Sequence, residues 1–160
     1  MNINFNNLSD NFLLSLLSSD EQATISSAVK LVPVNIGDII CESEAKLEYV
    51  YFPISGMFLL LYILENGGSA EISDIGKEGF VGVPILLGGE TMPHQVIIQG
   101  SGEAFRMPVY HLTKLFTQSI SFRNILLHYM QALMTQISQT AVCNSHQKLI
   151  KDFADGFSFH

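Results

Sequence analysis

The pattern of apolar and polar positions changes character twice along the 160 residues. Over the first 30, Phe12, Leu13, Leu16 and Leu17 fall at helical spacing behind Ser9 and Asp10, whose side-chain oxygens suit the capping of a helix's free N–H groups. Ser19 and Gln22 then form a capping-box pattern, with Ile25, Ala28 and Val29 as the buried stripe of a second short helix. From Leu31 to Met107 the texture becomes short runs of Val, Ile, Phe and Tyr broken by Gly, Asn, Asp and Ser. Turn signals at Gly37-Asp38, Ser55-Gly56, Asn66-Gly67, Gly76 and Gly100-Ser101-Gly102 predict antiparallel strands in a small β barrel or jelly roll. Asn66-Gly67 predicts a type I′ turn joining strands over 58–64 and 70–74. The stretch 79–89 is too rich in glycine for a strand and too apolar for a solvated loop, so it predicts a short helix folded over the barrel, with Glu78 as its cap.

After Pro108 the helical pattern returns, first over 109–116 and then from Ser121 to about Asn144 without Gly or Pro. Phe122, Leu126, Tyr129, Leu133, Gln136 and Thr140 follow a 4-3-4-3-4 spacing along this long helix. Two readings of the stripe stay open: a core face packed on the barrel, or a seam that pairs two copies. At about 1.5 Å per residue the helix is about 35 Å long, more than a small barrel can cover, which favours the seam. The organisation is therefore helices over 1–30, a β roll over 31–108, helices over 109–147 and a tail over 148–160. The fold class is mainly β with flanking helices.

Composition narrows the function. Fifteen acidic residues outnumber eight basic ones, and the cations are scattered singly. Gripping a phosphate backbone or an anionic membrane takes one cation per contact, so this chain is not expected to hold either by itself. Only Cys41 and Cys143 are present, which fits buried thiols in a reducing cytosol and falls short of the four thiolates of an iron–sulfur cluster. The longest apolar run, Met57 to Leu64, is eight residues, and the N-terminus lacks a basic region, so neither a membrane span nor a signal peptide is expected. The histidines are isolated, with no His-x-His pair to set two imidazoles on one metal. No catalytic set and no cofactor are expected. Arg106, just before Met107-Pro108, reads as solvent-exposed for want of an obvious carboxylate partner.

Three stretches taken in order, 49–56 (Tyr-Val-Tyr-Phe-Pro-Ile-Ser-Gly), 76–84 (Gly-Lys-Glu-Gly-Phe-Val-Gly-Val-Pro) and 139–146 (Gln-Thr-Ala-Val-Cys-Asn-Ser-His), resemble the Crp/Fnr bacterial transcription regulators. The resemblance covers about residues 8–150. It implies a cyclic-nucleotide-binding-like β roll, a long helix that pairs two chains as a homodimer, and a winged helix-turn-helix that reads DNA and is not present in this chain. It also implies an effector pocket between the barrel and residues 82–95, with Gly82, Val83, Pro84, Gly89, Glu90, Pro93, His94 and Gln95 as candidates. Members that bind cyclic AMP place a Glu after the first glycine for the ribose and an Arg-Ser pair for the phosphate. Here those slots read Val83-Pro84 and Pro93-His94, so an unknown small-molecule effector is expected in place of a cyclic nucleotide. The alternatives are a cyclic-nucleotide-binding domain and a truncated interaction subunit that heterodimerises with full-length regulators.

Overall fold

Two antiparallel sheets form the body of the chain in the computed structural model, which describes the backbone of residues 5–154 and the side chains of 8–139. Packing divides the chain into one unit ending at Leu127 and another beginning at His128, and the β roll lies wholly in the first. One sheet orders β1 (Lys30–Val34), β7 (Gly102–Pro108) and β3 (Tyr49–Pro53), and the other orders β2 (Ile39–Cys41), β6 (Gln95–Gly100), β4 (Met57–Ile63) and β5 (Ser69–Ile75). The jelly-roll expectation holds.

Alternation along the strands assigns the faces. Val50 and Phe52 of β3 stand opposite Met107 and Phe105 of β7, and all four are buried. In the second sheet, Phe58 and Leu60 share a buried face with Ile98, Val96, Ile75 and Ser73. The opposite face of the first sheet carries Lys30, Arg106 and Tyr51 in one row. Both outer strands of that sheet are interrupted as templates: β1 contains the exposed Pro33, and β3 is bridged by Val81.

The β4–β5 turn departs from the type I′ expectation. Only Gly67 takes a positive φ, of +87°, and Asn66 spends its side-chain oxygen on the Gly68 N–H at 2.8 Å. The loop closes wider, with Leu64 N–H donating to Gly68 C=O. A two-residue I′ turn needs both central residues at positive φ, and Asn66 does not adopt it.

The N-terminal helices are α1 (Phe12–Ser15), which follows a 3-10 turn over Phe5–Asp10, and α2 (Ser19–Ser26). Neither starts where the sequence placed its cap. Asn11 caps α1, and Ser18 with Glu21 forms the capping box of α2, one residue earlier than Ser19 and Gln22. A Glu carboxylate is a stronger acceptor for the Ser18 N–H than a Gln amide, and it takes that bond at 3.1 Å. Leu13, Leu14 and Leu17 are buried while Phe12 and Leu16 are exposed, a rotation of the expected apolar face. The remaining helices are α3 (Val83–Leu86), α4 (Val109–Gln118) and α5 (Ile120–Ala154).

Candidate ligand site

The segment linking β5 to β6 folds back as α3 because of two glycines. Gly82 sits at φ +141° with its Cα against Val50, where any Cβ would collide with the valine side chain. Gly88, at φ +88°, ends the helix, and Gly89 N–H closes it onto Pro84 C=O at 3.0 Å. Gly82 is itself the N-cap residue and offers no side-chain hydrogen bond, so Glu78 does not cap α3 as expected. The first turn presents Val83 and Pro84, and proline has no N–H to offer.

The other candidates are drawn to the connection between β2 and β3. Glu90 C=O accepts from Leu47 N–H at 3.1 Å, Pro93 C=O from the Ser43 hydroxyl at 3.1 Å, and Gln95 Nε2 donates to the Glu42 carboxylate at 3.0 Å. The side chains of Glu90 and Pro93 are exposed, and His94 and Gln95 are half-buried. His94 has its Nδ1 sealed from solvent without a hydrogen-bond partner, and its ring meets Tyr62 edge-on at 6.4 Å between centroids. Burial depresses its pKa below the ordinary histidine value, so the imidazole is neutral at physiological pH.

A cleft of about 410 Å³ opens between β2, the 42–48 connection and β3. Tyr49 and Tyr51 line it with Cys41, Glu42, Lys46 and Glu48, and none of the eight predicted effector contacts does. Arg106 is not solvated as expected: it is half-buried, with its guanidinium 4.4 Å from the Tyr49 ring centre. Cation–π attraction replaces the carboxylate partner that the sequence lacked. Tyr51 has its pKa raised by burial, offset in part by the charge of Arg106 and a hydrogen bond from it. The Cys41 thiol is also pushed up, first by burial and then by the charge of Glu42. The contact of Arg106 with Tyr49 depends on the register of β3 against β7, for which the sequence carries no direct signal.

On α5, Phe122 and Leu126 are 2% and 0% exposed, and Leu133 is buried too. Tyr129 is half-buried, Gln136 is exposed, and Thr140 lies outside the described side chains, as does Cys143. The apolar residues left in solvent are Ile120, Leu127 and Met134, spaced by seven and exposed by 69%, 42% and 66%. Among the described residues no group of three or more His, Cys, Asp or Glu is placed to hold a metal ion, and no helix is long and apolar enough to cross a membrane.

With two antiparallel sheets, a glycine-hinged helix folded against β3 and helices on either side in sequence, the architecture is that of a ligand-sensing β roll. The chain belongs to the cyclic nucleotide-binding domain family, whose model matches residues 31–119. No curated protein sequence matches it significantly. Among solved structures, the c-di-GMP-responsive global regulator CLP of Xanthomonas campestris superposes with a TM-score of 0.67 at 12% identity, over 78% of this chain and 63% of that one. A cyclic nucleotide-binding domain from Methylobacillus flagellatus gives 0.65 at 14%, over 82% and 74%. The regulatory subunit of a cAMP-independent protein kinase A from Trypanosoma brucei gives 0.66 at 17%, over 79% and 44%. The chain thus spans less than two thirds of the first of these, and at such identities the likeness shows the fold alone.

Proposed function

We propose that the chain is the effector-sensing and pairing module of a Crp/Fnr-like transcription regulator in the cytoplasm, and that its effector is not a cyclic nucleotide held through its phosphate. The chemistry of the α3 turn carries this reading. A buried phosphate needs a cation and N–H donors, yet residues 79–95 contain no Lys or Arg, the turn opens on Val83 and Pro84, and His94 is kept neutral by burial. Membership of the family constrains the fold and leaves the ligand to the site. The effector contacts remain Gly82 to Pro84 on α3 and Gly89 to Gln95 beyond it. With eight scattered cations against fifteen carboxylates, this module does not grip DNA itself, and DNA reading in such a regulator is the task of a winged helix-turn-helix.

Two thermal-shift titrations test the ligand reading. Cyclic AMP or cyclic GMP at millimolar concentration leaves Tm unchanged, because only a ligand that binds the folded state raises it. A rise of several degrees overturns the argument from Val83 and Pro93.

Pairing through α5 is part of the same proposal, and it uses a different stripe from 122-126-129-133-136-140. Phe122 and Leu126 are already buried in the single chain, whereas Ile120, Leu127 and Met134 recur every seven residues in solvent, the spacing that a left-handed helix pair interlocks. Light scattering at micromolar concentration checks this: Leu127→Glu with Met134→Glu gives a folded monomer. A dimer of unchanged mass in that variant removes α5 as the seam.

A further inference from the structure

The tip of the β4–β5 hairpin carries the sole Asn-Gly pair of the chain, Asn66-Gly67, exposed to solvent. Asn66 is folded back on its own backbone in an Asx turn, with Oδ1 accepting from Gly68 N–H at 2.8 Å. That turn brings the side-chain amide carbon over the following peptide, and the Gly68 N–H polarises its C=O toward the charge that an attacking nucleophile would place on oxygen. Gly67 offers no obstacle, since it has no side chain and nothing lies within 4 Å of where a Cβ would stand. Its N–H closes the turn onto Leu64 C=O at 3.0 Å, an exposed bond whose opening frees the nitrogen. The other asparagines among residues 8–139 are protected. Both amide atoms of the buried Asn11 are bonded, and the Phe12 N–H that follows donates to Lys77 C=O at 2.8 Å. Asn35 and Asn124 each precede a β-branched isoleucine with a committed N–H, in Ile36 to the Ser101 hydroxyl at 3.0 Å and in Ile125 to the α5 ladder.

We propose that Asn66 is a site of spontaneous covalent modification, at which its side-chain amide becomes a carboxylate through a cyclic imide formed with Gly67. The Gly67 nitrogen gives its proton to hydroxide and attacks Asn66 Cγ. A new C–N bond forms as the Cγ–Nδ2 bond breaks, and Nδ2 takes up a proton and leaves as ammonia. Water then opens the succinimide at either carbonyl. Breaking the new C–N bond gives aspartate, and breaking the original peptide bond gives isoaspartate. The net reaction consumes water and releases ammonia, with no oxidant, reductant or cofactor. Either product adds a negative charge to a chain already at −7, and isoaspartate also lengthens the backbone path of the tip by a carbon, which undoes the Asx turn.

The test incubates the purified full chain at physiological temperature and pH 8 for several weeks, followed by peptide mapping with mass spectrometry. The peptide containing Asn66 becomes heavier by the difference between an amide and an acid and splits into two chromatographic peaks, one of which is methylated by an isoaspartyl methyltransferase. Conversion at Asn66 runs at least about ten-fold faster than at Asn11, Asn35 or Asn124. It is faster at pH 8 than at pH 6, because the attacking nitrogen must lose its proton. Asn66→Gln stays unconverted, since its longer side chain closes a larger ring more slowly. Gly67→Ala slows conversion by at least about ten-fold, because a side chain now crowds the attacking nitrogen. Circular dichroism confirms that both variants are folded, as expected for an exposed loop. Conversion at Asn66 no faster than at the other three, aspartate without isoaspartate, which marks direct hydrolysis by water, or an unchanged rate in Gly67→Ala each overturns the proposal.

Discussion

Replacing Asn11 by alanine takes away four hydrogen bonds at a position with no solvent exposure. Its Oδ1 accepts from Leu13 N–H at 3.0 Å and Leu14 N–H at 3.2 Å, and its Nδ2 donates to Pro53 C=O at 2.8 Å and Gly79 C=O at 2.9 Å. One side chain thus starts α1, holds the end of β3 and anchors the approach to α3. Loss of the cap costs about 1 kcal/mol, and each buried carbonyl left without this donor adds about 1–2 kcal/mol. The sum is about 3–5 kcal/mol, or a Tm lower by about 10–20 °C for a domain of this size. Urea denaturation followed by tyrosine fluorescence measures it, because the chain has five Tyr and no Trp. Asn11→Asp is the sharper variant. It keeps the cap but turns a carboxylate oxygen toward two carbonyl oxygens, so at pH 8 it is at least as unstable as Asn11→Ala. Its folded-state carboxyl pKa is raised, the folded state holds the extra proton, and stability returns as pH falls toward 5. Were Asn11→Asp as stable as the wild type at pH 8, or Asn11→Ala within 1 kcal/mol of it, Asn11 would not be the tie described here.

Three further changes have defined outcomes. His94, with its folded pKa below the ordinary value, binds its proton more readily when unfolded; its contribution is complete above pH 6.5 and is lost as pH falls below it, so His94→Asn flattens the fall in Tm between pH 7.5 and 5.5. The carboxyl of Glu21 has its pKa lowered first by the Ser121 hydroxyl and then by the Ser18 backbone, so its contribution is present above 4.5 and lost as pH falls through the lower folded value. Glu21→Gln is therefore less stable at pH 7 by about 0.5–1 kcal/mol, as for other exposed caps, and the gap from wild type closes in acid melts. Gly82→Ala costs at least about 2 kcal/mol, since φ is +141° and the new Cβ meets Val50; in a double-mutant cycle, Val50→Ala relieves part of it, and strict additivity would deny the clash.

The elements were legible because their patterns are local. Alternating Val, Ile, Phe and Tyr marked the strands, the glycines around 79–89 marked α3, and the run without Gly or Pro marked α5. Caps were misplaced by one or two residues where several polar side chains compete, and the winner was decided by distant groups: Asn11 by the carbonyls of Pro53 and Gly79, Glu21 by hydroxyls of Ser119 and Ser121. The α5 helix carries two apolar series. Phe122 and Leu126 are the stronger apolar signal because the fold buries them, while the exposed series is diluted by Asn124 and Gln131 between its members. Of the candidate site, the glycine turn and the missing charges were readable. The contact of Arg106 with Tyr49 was not, since it arises only through the pairing of β7 with β3.

Pro33 acquires a broader meaning once every sheet border is considered. It leaves β1 without one N–H along its outer side, β3 is occupied by Val81, β2 is three residues long, and β5 carries the exposed charges Glu71 and Asp74. Each border is thus a poor template for a foreign strand, and a long, flat apolar edge is the feature that seeds fibrils. During synthesis or refolding, when many copies are crowded together, the roll resists joining its neighbours into a continuous sheet. Self-recognition is left to surfaces that carry side-chain specificity, which can be weakened or strengthened without risking polymerisation.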